Sequence, residues 1–181
     1  NCRVWGVVND VWCCGPLATT SICVHEGPSL YDALIEAAQM FQKFGTEGSS
    51  EARRREVSAF LANVSHETTG GWPVAPDGQF AWGLCFREEL ACDGAPSPCV
   101  ENYCQSGSTD YPCADGQSYH GRGPLQLSWN YNYGPAGTAI GQPLLQEPFR
   151  VAANGVVGWQ AALWFWMTTQ LPKPSCHDVM T

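Results

Sequence analysis

Hydrophobic residues recur at helical spacing in two consecutive stretches of the chain. Over residues 30–41 the apolar positions fall at i, i+3, i+4, i+7, i+8 and i+11, which is one face of an α-helix. Ser29 and Asp32 form a capping signal at its start. A second helix is predicted over residues 51–65. Its apolar stripe consists of Val57, Phe60, Leu61 and Val64.

The rest of the chain divides by pattern into one further helix and long irregular segments. Residues 154–170 are apolar nearly all round, which predicts a central buried helix. Residues 72–124 are rich in Gly, Pro, Ser and Cys and predict long loops, with a short strand or helical turn around 82–90. Residues 125–133 alternate too irregularly for an assignment, and residues 1–28 form an irregular Cys-rich leader. The predicted fold class is mainly α.

Composition narrows the classes of partner. The 181 residues are 44% hydrophobic, 14% charged and 12% aromatic, which excludes a disordered chain and suits one domain. Nine basic against seventeen acidic residues give a net charge of -8. This acidic balance argues against a nucleic acid or an anionic membrane as partner. A neutral ligand fits better.

Cysteine usage indicates an oxidising compartment. The ten cysteines are even in number, and their spacing lacks the C-x2-C and H-x3-5-H units of zinc sites, so we expect disulfides and no metal. No charged and apolar leader pattern is present, and no apolar run reaches the roughly 18 residues of a membrane helix. We therefore expect a soluble, secreted and mature protein.

Glu67 is the first candidate for chemistry. Extending the second helix at about 100° per residue puts Glu67 at about 280° from Val57, at the edge of the apolar stripe where the helix ends. A partly desolvated carboxyl there favours its protonated form, as a general acid requires. The alternative is a carboxylate paired with an arginine at the helix end, and position alone favours that alternative.

An acidic pair and a set of aromatic residues elsewhere in the chain favour a catalytic role for Glu67 over that alternative. Glu88 and Glu89 follow about twenty residues after Glu67, and a glycosidase needs two carboxyls on opposite faces of a sugar ring. Aromatic rings mixed with amides suit sugars, whose CH faces stack on rings. The candidate rings are Trp72, Phe80, Trp82, Tyr111, Trp129, Tyr131 and Tyr133.

Two long segments carry the most distinctive residue patterns of the chain. They are SHETTGGWPVAPDGQFAWGLCFREE at 65–89 and YHGRGPLQLSWNYNYGPAGTAIG at 119–141. Both resemble the signature stretches of the family 19 plant endochitinases, and the likeness runs from about Tyr31 to Thr181. The resemblance implies a lysozyme-like helical domain over 29–181 with long disulfide-pinned loops and a cleft for chitin. A further C-terminal portion of the family domain is expected to be absent from this chain.

The resemblance also implies an activity and residue roles. It implies hydrolysis of β-1,4 bonds between N-acetylglucosamine units with inversion, without a cofactor, with Glu67 as general acid and Glu89 as general base. Glu88 is interpreted as a surface residue. Thr69 and Ser128 match the positions that hold the attacking water. The sugar-contacting positions are His66, Trp82, Tyr111, Gln126, Tyr131, Asn132 and Lys173.

The family pattern further implies two disulfides, Cys23 with Cys85 and Cys104 with Cys113. Proximity along the chain suggests Cys92 with Cys99. The remaining cysteines stay unassigned, since sequence does not decide connectivity. They are Cys2, Cys13, Cys14 and Cys176.

Three functional hypotheses follow. The first is a monomeric plant endochitinase, secreted or vacuolar, that acts on chitin or chitooligosaccharides in defence and binds neither nucleic acid nor membrane. The second is a catalytically impaired, chitin-binding lectin-like or storage protein that keeps the cleft without turnover. The third is a lysozyme acting on peptidoglycan, which would share the acid and the fold class.

Overall fold

A computed structural model describes residues 30–69, 83–84, 86–89 and 102–181, together with the backbone of two short strands near the N-terminus. Strands β1 (Val7–Val8) and β2 (Val11–Trp12) form an antiparallel pair within the predicted leader. The helices of the described part are α1 (Leu30–Ala38), α2 (Ser50–Glu67), α3 (Asn130–Ile140), α4 (Arg150–Ala153), α5 (Gly155–Met167) and α6 (Cys176–Met180). None of them is both long and apolar enough to cross a bilayer.

Helices α1 and α2 confirm the two helices predicted from periodicity, and α5 confirms the one predicted from a segment that is apolar nearly all round. Helix α1 ends at Ala38, before the predicted limit, and continues as turns. Helix α2 begins after Ser49, whose hydroxyl accepts a hydrogen bond from the amide of Ala52 (3.1 Å). Helix α5 begins after Asn154, whose side chain accepts from the amide of Val157 (3.0 Å). Both caps satisfy amides that a helix leaves unpaired at its start.

Helix α3 was not predicted, because its sequence NYNYGPAGTAI contains two glycines and a proline, residues that lower helix propensity. Packing accounts for the glycines. A Cβ on Gly134 would lie 2.1 Å from Cδ1 of Tyr111, and one on Gly137 would lie 2.6 Å from the carbonyl oxygen of Gln142. Close tertiary contact therefore stabilises a helix that local propensity disfavours.

Helix α5 lies between two hydrophobic clusters, which explains its apolar character on all sides. One cluster joins α5 to α1 and α2 through Ala37, Phe60 and Trp159. The other joins α5 to α3 and the preceding loop through Tyr133 and Ala161. The prediction of a central buried helix is confirmed.

The buried face of α2 differs from the predicted stripe. Leu61 is 39% exposed, and Val57 is only partly buried. The buried residues of α2 recur at every fourth position, along the side that contacts α5, α6 and the loop after α1. They are Ala52, Glu56, Phe60 and Val64.

Glu56 is a fully buried carboxylate that connects four parts of the fold. It accepts hydrogen bonds from the Gly45 amide (2.8 Å) and the Trp166 indole (3.2 Å), and its Oε1 lies 2.7 Å from Nδ1 of His177. Nε2 of His177 lies 2.9 Å from Glu47. Burial would lower the pKa of His177, but the hydrogen bonds to both glutamates raise it above its usual value of 6.5. The network holds α6 and the loop after α1 against α2 and α5.

Glu56→Gln is expected to lower the free energy of unfolding by about 2 kcal/mol, because buried donors lose a charged acceptor. The raised pKa of His177 makes the protonated pair stabilising below about pH 6.5, and this contribution is lost as pH rises through the folded-state pKa. The deficit should therefore be larger at about pH 6 than at about pH 9, as measured by chemical denaturation. Glu36→Gln, on the exposed side of α1, should change stability by less than about 0.5 kcal/mol. Equal stability of the two variants would contradict this role of Glu56.

Candidate active site

Three short backbone segments pair around Arg122. Segment 87–89 pairs antiparallel with segment 121–123 through hydrogen bonds of 2.8 and 2.9 Å. The main chains of Arg122 and Leu127 exchange two more, of 3.2 and 2.9 Å. We call these three segments the Arg122 ladder. Since side chains alternate across a paired strand, the ladder decides which way each glutamate of the acidic pair faces.

Glu88 faces the buried side of the ladder. Its carboxylate accepts from Nε of Arg122 and lies 3.2 Å from Nε2 of His120. Burial would raise the pKa of Glu88, but the hydrogen bonds and charges of His120 and Arg122 lower it to about 2. The interpretation of Glu88 as a surface residue is therefore wrong: its side chain is 16% exposed and ion-paired.

Arg122 extends this network into the core. Its guanidinium also donates to the carbonyl of Ser118 (2.8 Å) and lies 3.2 Å from the hydroxyl of Tyr133. Tyr133 is fully buried and donates to the carbonyl of His120 (2.8 Å). The proposal that Tyr133 belongs to an aromatic sugar-binding floor is wrong, because its ring packs in the core.

Glu89 faces the opposite side, where it meets hydrogen-bond donors. The hydroxyl of Tyr103 donates to Oε1 (2.9 Å), and the amide of Gly121 donates to Oε2 (3.4 Å). The residue is partly buried. Donors on both oxygens suit an ionised carboxylate.

Gln126, directly before Leu127, and Ser128, directly after it, lie next to Gly121. A Cβ on Gly121 would lie 2.8 Å from Oε1 of Gln126 and 3.4 Å from Oγ of Ser128, so both side chains lie close to this glycine. The hydroxyl of Ser128 donates to the Gln126 carbonyl (2.8 Å), and Asn132 donates to the Ser128 carbonyl (2.9 Å). Gln126 and Ser128 therefore lie beside the backbone that pairs with Glu89, and Asn132 is hydrogen-bonded to Ser128.

Thr68 connects this region to the helix end that carries Glu67. The carbonyl of Thr68 accepts from the amide of Phe86 (3.0 Å), and its hydroxyl accepts from the amide of Leu84. Thr68 is fully buried. We call these two hydrogen bonds the Thr68 joint. Glu67 directly precedes Thr68, and Glu89 follows Phe86 by three residues. The two proposed catalytic carboxylates thus lie on elements that are hydrogen-bonded to each other.

Glu67 itself is exposed, so the expected partial desolvation by the protein is wrong. Val64 is the last buried residue of α2, and Glu67 lies close to one turn beyond it, where the described elements no longer cover the helix. In the described part of the chain no arginine forms an ion pair with it. Next to it, His66 is exposed and Thr69 is 9% exposed, with the Thr69 hydroxyl donating to the His66 carbonyl (3.0 Å).

Aromatic rings continue outward from Glu89. The ring of Trp129 meets that of Tyr103 edge-on at 5.4 Å and stacks on that of Tyr131 at 5.8 Å. Tyr131 is exposed, whereas Tyr111 packs against α3. The other rings of the predicted floor, Trp72, Phe80 and Trp82, lie outside the described residues.

The remaining predicted positions are placed only in part. Lys173 is exposed in the turn between α5 and α6, and within the described residues no hydrogen bond or ion pair joins its side chain to the ladder. Cys104 is bonded to Cys113, as the family pattern implied, and Cys176 is free and exposed. The predicted pairs formed by Cys23, Cys85, Cys92 and Cys99 lie outside the described residues.

Comparison with known proteins decides the family. Residues 18–181 match the family model described as "Chitinase class I". The chain belongs to this family. An endochitinase from Carica papaya is 57% identical over 159 residues, 88% of this chain and 62% of that protein. An inactive chitinase-like protein 1 from Hevea brasiliensis is 54% identical over 159 residues, 88% of this chain and 48% of that protein.

Solved structures of chitinases also resemble this chain. A family 19, class IV chitinase from Zea mays is 38% identical with a TM-score of 0.63, covering 82% of this chain and 60% of that one. Chitinase C from Streptomyces griseus is 38% identical with a TM-score of 0.66, covering 83% and 64%. This chain of the chitinase family therefore spans less than two thirds of these relatives, and its mainly helical fold class is confirmed.

Glu88→Gln is expected to lower the free energy of unfolding at pH 7 by about 3 kcal/mol. This is the energy that corresponds to lowering the pKa of Glu88 from 4.5 to about 2 on folding. A lowered pKa stabilises the fold above about pH 4.5, and the contribution is lost as pH falls through about 2. The deficit should shrink between pH 7 and about pH 3 in urea denaturation. Asp115 is exposed, so Asp115→Asn should neither lower the free energy of unfolding nor change its pH dependence. A deficit that is independent of pH would contradict the ion pair.

Proposed function

We propose that this chain hydrolyses internal β-1,4 linkages between N-acetylglucosamine units of chitin, with Glu67 as general acid and Glu89 as general base. The observation that carries the proposal is the Thr68 joint, which docks the segment leading to Glu89 on the helix end that bears Glu67. Two carboxyls on adjoining elements, with a sugar ring between them, are what glycoside hydrolysis requires.

The two carboxyls take different roles because their surroundings differ. Glu89 accepts hydrogen bonds on both oxygens, which suits an ionised base that removes a proton from water. Glu67 is exposed in the free chain, so the sugar polymer itself would exclude water from it and favour its neutral form. Its proton then passes to the glycosidic oxygen as the bond to the anomeric carbon breaks.

Inversion follows if a water molecule fits between Glu89 and that carbon. The water oxygen then forms the new bond on the face opposite the leaving group, which requires carboxyls roughly 6.5–9.5 Å apart. Ser128 and Thr69 are proposed to hold this water. Ser128 lies beside Gly121, close to the segment that carries Glu89. Thr69 lies two residues after Glu67, the proposed acid.

Chitin is the proposed substrate because a neutral sugar polymer suits the chemistry around the two carboxyls. The Trp129–Tyr131 stack offers ring faces for sugars. Gln126 supplies an amide beside Gly121, and Asn132 supplies one at the Ser128 carbonyl. The net charge of -8 imposes no penalty on a neutral polymer. The remaining proposed contacts are His66, Trp82, Tyr111 and Lys173. We further propose a monomer, secreted or vacuolar, that acts in plant defence.

Glu67→Gln is expected to lower the rate of cleavage of a soluble chitin hexamer by roughly 10²- to 10⁴-fold, because an amide has no proton to donate to the leaving oxygen. Binding of the hexamer should persist, since the side chain keeps its size. Chromatography of the shortened products and calorimetric titration of the hexamer measure the two quantities. Glu36→Gln, on α1, should leave both unchanged.

Two outcomes would contradict the proposal. Binding of the hexamer by the unmutated chain without any cleavage would favour the chitin-binding alternative. The name of the Hevea brasiliensis relative, which calls that protein inactive, is the reason for testing this outcome. Cleavage of peptidoglycan in preference to chitin would favour the lysozyme alternative.

A further inference from the structure

We infer that Tyr103 is a positioning residue for Glu89: its hydroxyl, steadied by the ring of Trp129, orients the carboxylate that activates water. The inference rests on the proposed function. Tyr103 is absent from the residues that sequence reasoning assigned to the site, because an isolated Tyr in a Cys-containing loop carries no pattern of its own.

The contact with Glu89 is the first observation. Tyr103 donates to Oε1 at 2.9 Å, whereas the Gly121 amide donates to Oε2 at 3.4 Å. The hydroxyl hydrogen bond has ordinary length and the amide hydrogen bond is long. Of these two donors, Tyr103 therefore restrains the orientation of the carboxylate more strongly.

The backbone of Tyr103 is the second observation. Its φ of 52° lies in the left-handed region, which is unfavourable for a bulky residue and persists only where the surroundings enforce it. Here the Tyr103 carbonyl accepts from the amide of Asn130 (3.3 Å), and the side chain of Asn130 accepts from the Gln105 amide (2.8 Å). The Cys104–Cys113 disulfide closes the same loop.

Trp129 supplies the third observation. Its φ of 74° is also left-handed, and its ring meets that of Tyr103 at 5.4 Å with 70° between the planes. Such an edge-to-face contact is a favoured aromatic geometry. It limits rotation of the tyrosine ring and keeps the hydroxyl directed at Glu89.

The physical consequence concerns protonation. A donated hydrogen bond stabilises the carboxylate over the carboxylic acid, and only the carboxylate can take a proton from water. Without the hydroxyl, Glu89 would lose a donor to its anionic form and would also be less well oriented.

Tyr103→Phe tests the inference by kinetics. It should lower kcat by roughly tenfold, the loss expected for one hydrogen bond to a charged group, with KM nearly unchanged. The acidic limb of the pH profile of kcat/KM should move to higher pH. A loss confined to KM would show that Tyr103 binds sugar directly and would overturn the inference.

A measurement that does not depend on turnover decides the same point. In ¹³C NMR of chain labelled at glutamate carboxyls, with the Glu89 signal identified by its loss in Glu89→Gln, the titration midpoint of Glu89 should move to higher pH in Tyr103→Phe. An unchanged midpoint would overturn the inference. If the unmutated chain fails to cleave chitin, the proposed function fails, while this titration still decides whether Tyr103 holds the carboxylate.

Two further variants separate positioning from general stability. Tyr119→Phe removes another tyrosine hydroxyl, one that donates to the Leu145 carbonyl (2.9 Å) and accepts from the Ala114 amide (2.8 Å), and should leave the Glu89 titration unchanged. Trp129→Leu keeps the Tyr103 hydroxyl but removes its ring support, and should move the midpoint in the same direction by less. Should Tyr103→Phe fail to fold, the Trp129 variant carries the same test.

Discussion

The ion pair between Glu88 and Arg122 is the constraint on which the rest of the site depends. Arg122 is buried at the centre of its ladder and needs a carboxylate partner there, because an unpaired buried charge is strongly destabilising. Pairing with Glu88 determines the register, and the pleat then turns Glu89 to the other side. A slip of one residue would exchange the two glutamates, leaving the proposed base in the core.

A second set of buried polar groups holds the other half of the site. Thr68 hydrogen-bonds to the segment that leads into the ladder, and Glu56 ties the middle of α2 to α5 and α6. Helix α2 is therefore held at the core by Glu56, and its C-terminal end is held by Thr68 to the segment that precedes the ladder. Rigid support of this kind keeps functional side chains within the small tolerances that catalysis requires.

Sequence reasoning succeeded where local periodicity carries the signal and failed where partners are distant. Helices α1 and α2 follow from the spacing of apolar residues and α5 from its apolar run, but α3 depends on Tyr111 packing against Gly134. The difference between Glu88 and Glu89 depends on pairing with a segment more than thirty residues away. Glu67 has the expected helical phase, but phase does not show where the covering elements end.

The anomeric form of the first product tests the central claim most directly, that two carboxyls held on separate supports act on opposite faces of one sugar. Proton NMR of a chitin hexamer during the first minutes of cleavage distinguishes the two anomers before they equilibrate. The account predicts that the α-anomer forms first, because water attacks opposite the leaving group. Initial formation of the β-anomer would contradict it.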